Sequence, residues 1–428
     1  MPLHDKVFYI ALFFIVGTLS AGFGIGIWWT LLGAFLMSKF IFSIGIRKTL
    51  IFTAICFSGF FYLHLYDVLQ KDVIPLGEDR YFEGLVVKEP EEGINSTKLS
   101  VKLNEPYRGE VQLYTAPGVS FEYGDWIAFE GSVEISPGGF NIASFPGGMD
   151  VMTKNRGNGV RKALIGLKGS LVGKLEAVLP AEHAALASGL LLGERSEFTD
   201  DFEQAMRNSG TTHIVALSGY NIAILVMVIS GIFSYLWNRK IAFYLSLLII
   251  PGFVVMTGAA PSVIRAGIMG LILLLAENQN RSYSPRNAIT LAALVMILFN
   301  PRVGVDDVGF QLSFAALLGI VYLYPLLEKK FNIQSEGFLS WKKNALQTAS
   351  AQIAVLPIVL YTFGFFSPVA LISNVLILEF IPITMLLSFL TTILGFVSFH
   401  LSLIAGWISS VFLSYEIFII KFFGLSWF

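Results

Sequence analysis

Long apolar runs occupy both ends of the chain, and one stretch of alternating apolar and polar residues separates them. The first three runs cover about Val7–Gly26, Ile27–Ile46 and Leu50–Tyr66. Each approaches the ~20 residues that a helix needs to cross the hydrocarbon core of a bilayer. Arg47 and Lys48 lie between the second and third runs, so the positive-inside rule puts that loop in the cytoplasm. The third helix then exits on the outer side. Lys39 falls inside the second run, where its side chain snorkels to the interface or faces a neighbouring helix.

From Asp67 to Gly159 the pattern changes to short runs of period two: YFEGLVV, KLSVKL, GEVQLYT and DWIAFEGSVEI. In the third, Val111 and Leu113 share one face, and Glu110 and Gln112 the other. Gly, Pro and Asn bound these runs, which predicts the strands of a small β domain. About five strands in this length suit an OB-like barrel. The domain is expected outside the cytoplasm, as a structural module or as a nucleic-acid contact, and the barrel analogy does not choose between them. Residues 160–182 read as an amphipathic, basic connector carrying Arg161, Lys162, Lys168 and Lys174. Such a stretch lies at a membrane surface, its lysines either solvated or tracking phosphates.

Further apolar segments follow near His213–Trp237, Ile241–Thr257, Ser262–Ala276, Asn287–Phe299, Phe310–Leu327, Ala345–Phe363, Pro368–Phe396 and Leu401–Phe423. Three basic loops fall on one side if each intervening pair of segments crosses twice: Arg239–Lys240, Arg281 with Arg286, and Lys329–Lys330 with Lys342–Lys343. That side is the cytoplasm, in agreement with an outer β domain. The expected fold is a polytopic α-helical membrane protein with an inserted extracytoplasmic OB-like β domain. Its parts are N-terminal transmembrane helices over 1–66, the β domain over 67–159, the connector over 160–182 and a second membrane domain over 183–428.

Composition agrees. The 428 residues are 55% hydrophobic and 14% charged, where a soluble protein is nearer one-quarter charged; the mean hydropathy is +0.69. A formal net charge of -1 offers no basic excess for binding nucleic acid in bulk. Contact with a polyanion must therefore come from local clusters or a pore lining. The single cysteine, Cys56, excludes an intramolecular disulfide and argues against Cys-rich metal sites. The N-terminal run reads as a span rather than a cleaved signal peptide, because apolar sequence continues beyond it. Carboxylate pairs, a nucleotide-binding P-loop and H-E-x-x-H are absent from the sequence, so no cofactor, metal or ATP hydrolysis is expected.

Three polar segments stand out against this background. In GTTHIVALSGYNIA, His213, Leu217 and Asn221 share a helical stripe, with Ser218 three positions before Asn221. The Ser218-Gly219 pair either interrupts a helix beside a hydrated cavity or serves close interhelical packing. Ala216-Leu217-Ser218-Gly219 partly matches the G-x-S-G motif of membrane serine proteases. His213, however, lies about 140° around an ideal helix from Ser218, poorly placed as its base; His400 would have to approach from elsewhere. No catalytic residue is assigned. In APSVIRAGIMG, Arg265 sits near the start of an apolar helix and either snorkels or faces a water-filled path. In DDVGFQLSFAALLG, Asp307, Gln311 and Phe314 fall on roughly one face, and Asp307 is equally suited to cap the helix. A proton relay would need an acid deep in the bilayer, for which Glu379 is the candidate.

LLLGERSEFTDDFEQAMRNSGTTHIVALSGYNIA, TGAAPSVIRAGIMG and DVGFQLSFAALLG, in this order, resemble the competence domain of the ComEC/Rec2 family. SPVALISNVLILEFIPI resembles the family's P-x-x-x-x-x-N segment through Pro368, Asn374 and Pro382. The resemblance covers about Leu171 to the end, and more weakly Tyr9–Gly159. It implies a cytoplasmic-membrane channel passing single-stranded transforming DNA inward, with the β domain contacting incoming DNA and no covalent chemistry. The implied partners are single-stranded DNA, the lipid bilayer, a separate DNA receptor and a cytoplasmic motor; a homo-oligomer is compatible. The path candidates are His213, Ser218, Asn221, Arg265, Asp307 and Gln311. Asn221 stands where the family often has a His, so a role for that His does not carry over. Larger relatives also carry a metallo-β-lactamase-like domain, whose H-x-H-x-D-H cluster is absent from these 428 residues; if they are the full chain, strand degradation is left to another protein or does not occur. The alternative is a transporter of another anionic solute or polymer on the same fold; a membrane hydrolase ranks third.

Overall fold

In a computed structural model the apolar runs are helices and the period-two stretch is a sheet. The structure describes residues 3–42, 45–70, 73–93, 96–118, 121–136, 141–194, 198–215, 221–222, 231, 235, 238–279, 283–331 and 341–425. Two compact units divide the chain. One comprises Met1–Tyr66, Lys174–Val254 and Ala259–Phe428; the other comprises Asp67–Gly173 with Val255–Gly258.

The first unit begins with α1 (Leu3–Gly22), α2 (Ile27–Phe42) and α3 (Ile46–Leu69). Helices α1 and α3 touch backbone to backbone at two glycines. A Cβ on Gly17 would stand 1.9 Å from the Cys56 carbonyl oxygen, and one on Gly59 would stand 2.1 Å from that of Phe14. Between them the Thr18 hydroxyl donates to the Gly59 carbonyl at 3.1 Å. Lipid tails give no hydrophobic push between helices, so small residues and hydrogen bonds hold such pairs.

The second unit is built on β1 (Asp79–Val86), β2 (Glu91–Glu92), β3 (Thr97–Leu103), β4 (Glu110–Thr115), β5 (Trp126–Ser132), β6 (Glu134–Ile135), β7 (Asn141–Ser144) and β8 (Gly147–Thr153). The four runs read from the sequence form β1, β3, β4 and β5 with β6; the short β2 and β7 and the seven-residue β8 carry no clear alternation. Strand order is β6-β7-β4-β3-β1-β5-β8, with β2 paired to β3. All pairs are antiparallel except β4 with β7. Val111 and Leu113 are fully buried as the alternation predicts, together with Phe82, Leu99 and Phe129.

Helix α4 (Gly159–Glu176) follows, its start capped by the Asn158 side chain, which accepts from Val160 N at 2.9 Å. Lys168 pairs with Glu89 at 2.8 Å and Lys162 with Glu122 at 2.9 Å. Arg161 lies over the Tyr123 ring at 4.9 Å. These cations of the connector are therefore engaged by groups of the β domain. The Lys162 ammonium holds the Glu122 carboxyl below its usual range by hydrogen bond and charge.

The remaining helices are α5 (Ala181–Leu192), α6 (Asp200–Ser209), α7 (Thr212–Val215), α8 (Arg239–Met256), α9 (Pro261–Asn278), α10 (Pro285–Phe299), α11 (Val303–Asp306), α12 (Val308–Leu318), α13 (Tyr324–Phe331), α14 (Trp341–Phe363), α15 (Ala370–Leu378), α16 (Ile381–Val397) and α17 (Phe399–Gly424). Among the described residues, six helical stretches are long and apolar enough to cross a membrane: Asp5–Gly22, Ile46–Leu69, Pro261–Asn278, Val308–Phe331, Lys342–Phe363 and Phe399–Gly424. Most of the expected segment His213–Trp237 lies outside the described residues.

Two prolines shape this unit. Residues Gly319–Leu323 form a π-helical turn between α12 and α13. Pro325 follows, lacks an N–H, and crowds the carbonyl four residues back at Val321. The run Pro368–Phe396, expected as one segment, is instead a pair, α15 and α16, bent by 51°. Pro382 crowds the Leu378 carbonyl in the same way and ends α15 there. Glu379 sits at the break and accepts from Asn344 Nδ2 at 2.7 Å.

Candidate functional site

The three polar segments and the fourth family-like segment, SPVALISNVLILEFIPI, meet one another inside the helical unit. Helix α6 starts with Thr199, whose hydroxyl accepts from Phe202 N at 3.3 Å, and carries Asp200, Asp201 and Glu203 in its first turn. Acids there suit the helix dipole. It ends at Gly210, which adopts φ 69. A Cβ at Gly210 would also stand 2.4 Å from that of Ala370. Backbone angle and space both demand glycine.

The turn leaves carbonyls for the fourth segment to satisfy. Ser373 Oγ donates to the Ser209 carbonyl at 2.6 Å, and Ser367 Oγ to that of Asn208 at 2.5 Å. Asn208 Nδ2 in turn donates to the Gly424 carbonyl at 3.0 Å, the end of α17. Small polar residues here replace missing helical bonds, as buried backbone requires.

The first segment also reaches the second. Asn221 is 2% exposed, and its Nδ2 donates to the Ile214 carbonyl at 3.1 Å and the Leu190 carbonyl at 3.3 Å. It braces α5 and α7. Ile222 beside it packs on Val263 at the start of α9. His213 is exposed on α7, beside the Gly210 backbone. Ser218 lies outside the described residues.

Arg265 links the second segment to the third. It is buried, at 8% exposure, and its guanidinium stands over the Phe314 ring at 5.8 Å from the centroid. Among the described residues no carboxylate pairs with it. A cation–π contact contributes up to about 2 kcal/mol when desolvated, well short of what a buried charge costs. A hydrated or anionic partner would complete the site.

Asp307 and Gln311 serve helix ends. Asp307 Oδ1 accepts from Phe310 N at 2.7 Å and caps α12. Gln311 Nε2 donates to the carbonyls of Val305 at 2.7 Å and Gly304 at 3.3 Å in α11. Arg265 thus remains the candidate whose polar group is least committed to the fold.

A fully buried acid escaped the sequence reading. Glu416 on α17 is 0% exposed, whereas Glu379 is only half-buried. Its signal was the stripe Ser402, Gly406, Ser409, Leu413, Glu416 and Ile420, whose spacing of three and four marks one packed helix face. Among the described residues no cluster of His, Cys, Asp and Glu could hold a metal ion.

The family model described as Competence protein matches residues 190–426, which contain all four polar segments from Leu190 onward. The chain belongs to this competence family, ComEC/Rec2. Within it, ComE operon protein 3 of Bacillus subtilis (strain 168) is 30% identical over 223 residues. That match covers 51% of this chain and 27% of the Bacillus protein, so the chain spans about a quarter of that relative. No solved structure matches the chain. The family relation rests on the helical half, where Ser373–Ser209, Ile222–Val263 and Arg265–Phe314 join the segments pairwise.

Proposed function

We propose that this competence-family member translocates single-stranded DNA across the cytoplasmic membrane during natural transformation. The observation that carries the reading is Arg265, a buried cation without a carboxylate partner among the described residues, inside the competence-matched region. A passing phosphate backbone would supply the missing counter-charge, and the exposed His213 would offer a second polar surface. The reading needs no covalent step: the DNA backbone is conducted, and the residues position and neutralise it.

The β domain is read here as OB-like and extracytoplasmic. Support comes from its strand order, in which β1, β3 and β4 form a meander, β4 pairs in parallel with β7, and β5 pairs with β1. Its role in this reading is to receive DNA from a separate receptor, while a cytoplasmic motor draws the strand inward. A transporter of another anionic polymer would use Arg265 equally well, so the substrate must be tested directly. Cells deleted for the gene should bind labelled DNA at the surface and fail to internalise it, and restoring the full chain should recover uptake. Normal internalisation by the deletion strain refutes the proposal.

A further inference from the structure

Helices α16 and α17 pack antiparallel along a seam of hydroxyls rather than of aliphatic side chains. Thr384, Ser388, Thr391 and Thr392 line it from α16, and Ser402, Ser409 and Glu416 from α17; all are buried. Thr391 and Ser409 hydroxyls meet at 3.1 Å, and Ser402 Oγ donates to the Thr391 carbonyl at 2.8 Å. At the far end of the seam Thr384 Oγ1 donates to Glu416 Oε1 at 2.5 Å. The other carboxyl oxygen, Glu416 Oε2, is buried without a hydrogen-bond partner, and so is Ser388 Oγ, one turn along α16 from Thr384.

An ionised carboxylate with a single donor is not sustained in such surroundings. Among the described residues, the helices packed on α17 are α16, α15, α6 and α5, and Val178 and Leu179 lie against Gly406. Helix α16 carries no titratable group. On α5, Glu182 pairs with Lys421 of α17 at 2.6 Å, and His183 contacts Ser414 at 2.7 Å. On α6, Arg207 pairs with Glu203, and Asp200 and Asp201 lie in the exposed first turn. Glu379, after α15, is taken by Asn344. On α17 itself, Tyr415 donates to the Leu376 carbonyl at 3.2 Å. No cation among these elements is paired with Glu416. A metal cation would need several more oxygen ligands than Thr384 and the carboxyl supply, whereas a proton needs only the vacant oxygen.

We propose that Glu416 is a proton-binding site of the membrane unit, and that it releases and regains its proton while substrate passes; the second clause rests on the translocation reading. The position suits a coupling role. Thr384 lies in the first turn of α16, directly after the 51° break, and across that break α15 carries Ser373, which holds the turn at Ser209. Loss of the proton places a charge on the seam and weakens the hold of α17 on this end of α16.

The test uses the full chain in lipid vesicles, read by infrared spectroscopy at neutral pH. Wild type should show the C=O band of a protonated carboxyl, lost in Glu416→Gln and kept in Glu379→Gln. Thr384→Val, which removes the one donor, should shift that band. Absence of the band in wild type, its persistence in Glu416→Gln, or an unmoved band in folded Thr384→Val overturns the site. Loss of the band on adding sodium at constant pH also overturns it in favour of a metal cation. In cells, Glu416→Gln at normal abundance should reduce DNA uptake to the level of the deletion strain. Unchanged uptake overturns the coupling. If the deletion strain itself takes up DNA normally, the translocation reading fails, while the infrared result still decides the proton site.

Discussion

The Ser373 hydroxyl donates to the Ser209 carbonyl across 2.6 Å and joins two sequence segments that lie 164 residues apart. Ser373 is 0% exposed, so its loss leaves a buried carbonyl short of a partner. That costs about 1–3 kcal/mol. Ser373→Ala should accordingly lower the melting temperature of the detergent-purified protein. Gly210→Ala should be worse, since it adds a strained backbone to a clash with Ala370. A Ser373→Ala protein that melts with wild type would mean the turn is held by something other than this bond.

Much of this arrangement is legible in the amino-acid sequence, and the limits have physical causes. Six of the expected spans and the four alternating strand runs followed from period and length, whereas the runs near Ile27–Ile46, Ile241–Thr257 and Asn287–Phe299 form helices shorter than a span. The break at Glu379 was missed because a proline in an apolar run bends, ends or merely starts a helix according to what carbonyl it meets. Asn221 and Gln311 looked like path residues because a polar side chain in an apolar run has the same sequence signature whether it faces water or a backbone carbonyl. Glu416 was passed over for Glu379 because charge alone does not reveal which helix face is packed.

Arg265 tests the path itself. Its guanidinium has the Phe314 ring but, among the described residues, no carboxylate. Arg265→Gln should lower internalisation of labelled DNA at unchanged protein abundance. Arg265→Lys keeps the charge but loses the planar fork that matches phosphate, and should fall between wild type and Gln. Equal uptake by all three at equal abundance would remove Arg265 from the path.

Asp307 separates capping from charge. Its carboxylate accepts the Phe310 N–H at 2.7 Å, which asparagine does nearly as well. Asp307→Asn should therefore keep both melting temperature and uptake, while Asp307→Ala should lose about 1 kcal/mol of stability, the usual cost of an N-cap. Loss of uptake in a stable Asp307→Asn protein would show that the charge serves transport.

The β domain offers a pH test through Glu122 and Lys162. Lys162 donates to Glu122 at 2.9 Å and holds its carboxyl below the ordinary value of 4.5. A carboxyl depressed in the folded state binds its proton more weakly there than when unfolded. It therefore contributes stability above its unfolded value, and that contribution fades as pH falls through the folded one. Both groups are largely exposed, so the effect is small and salt-sensitive. Hydrogen exchange on the intact protein should show the first turns of α4 opening more readily as pH drops below about 4.5, after correction for intrinsic exchange. Lys162→Met should open these turns at neutral pH and flatten the acid response, and an unchanged acid response in that variant would assign the titration to another carboxyl.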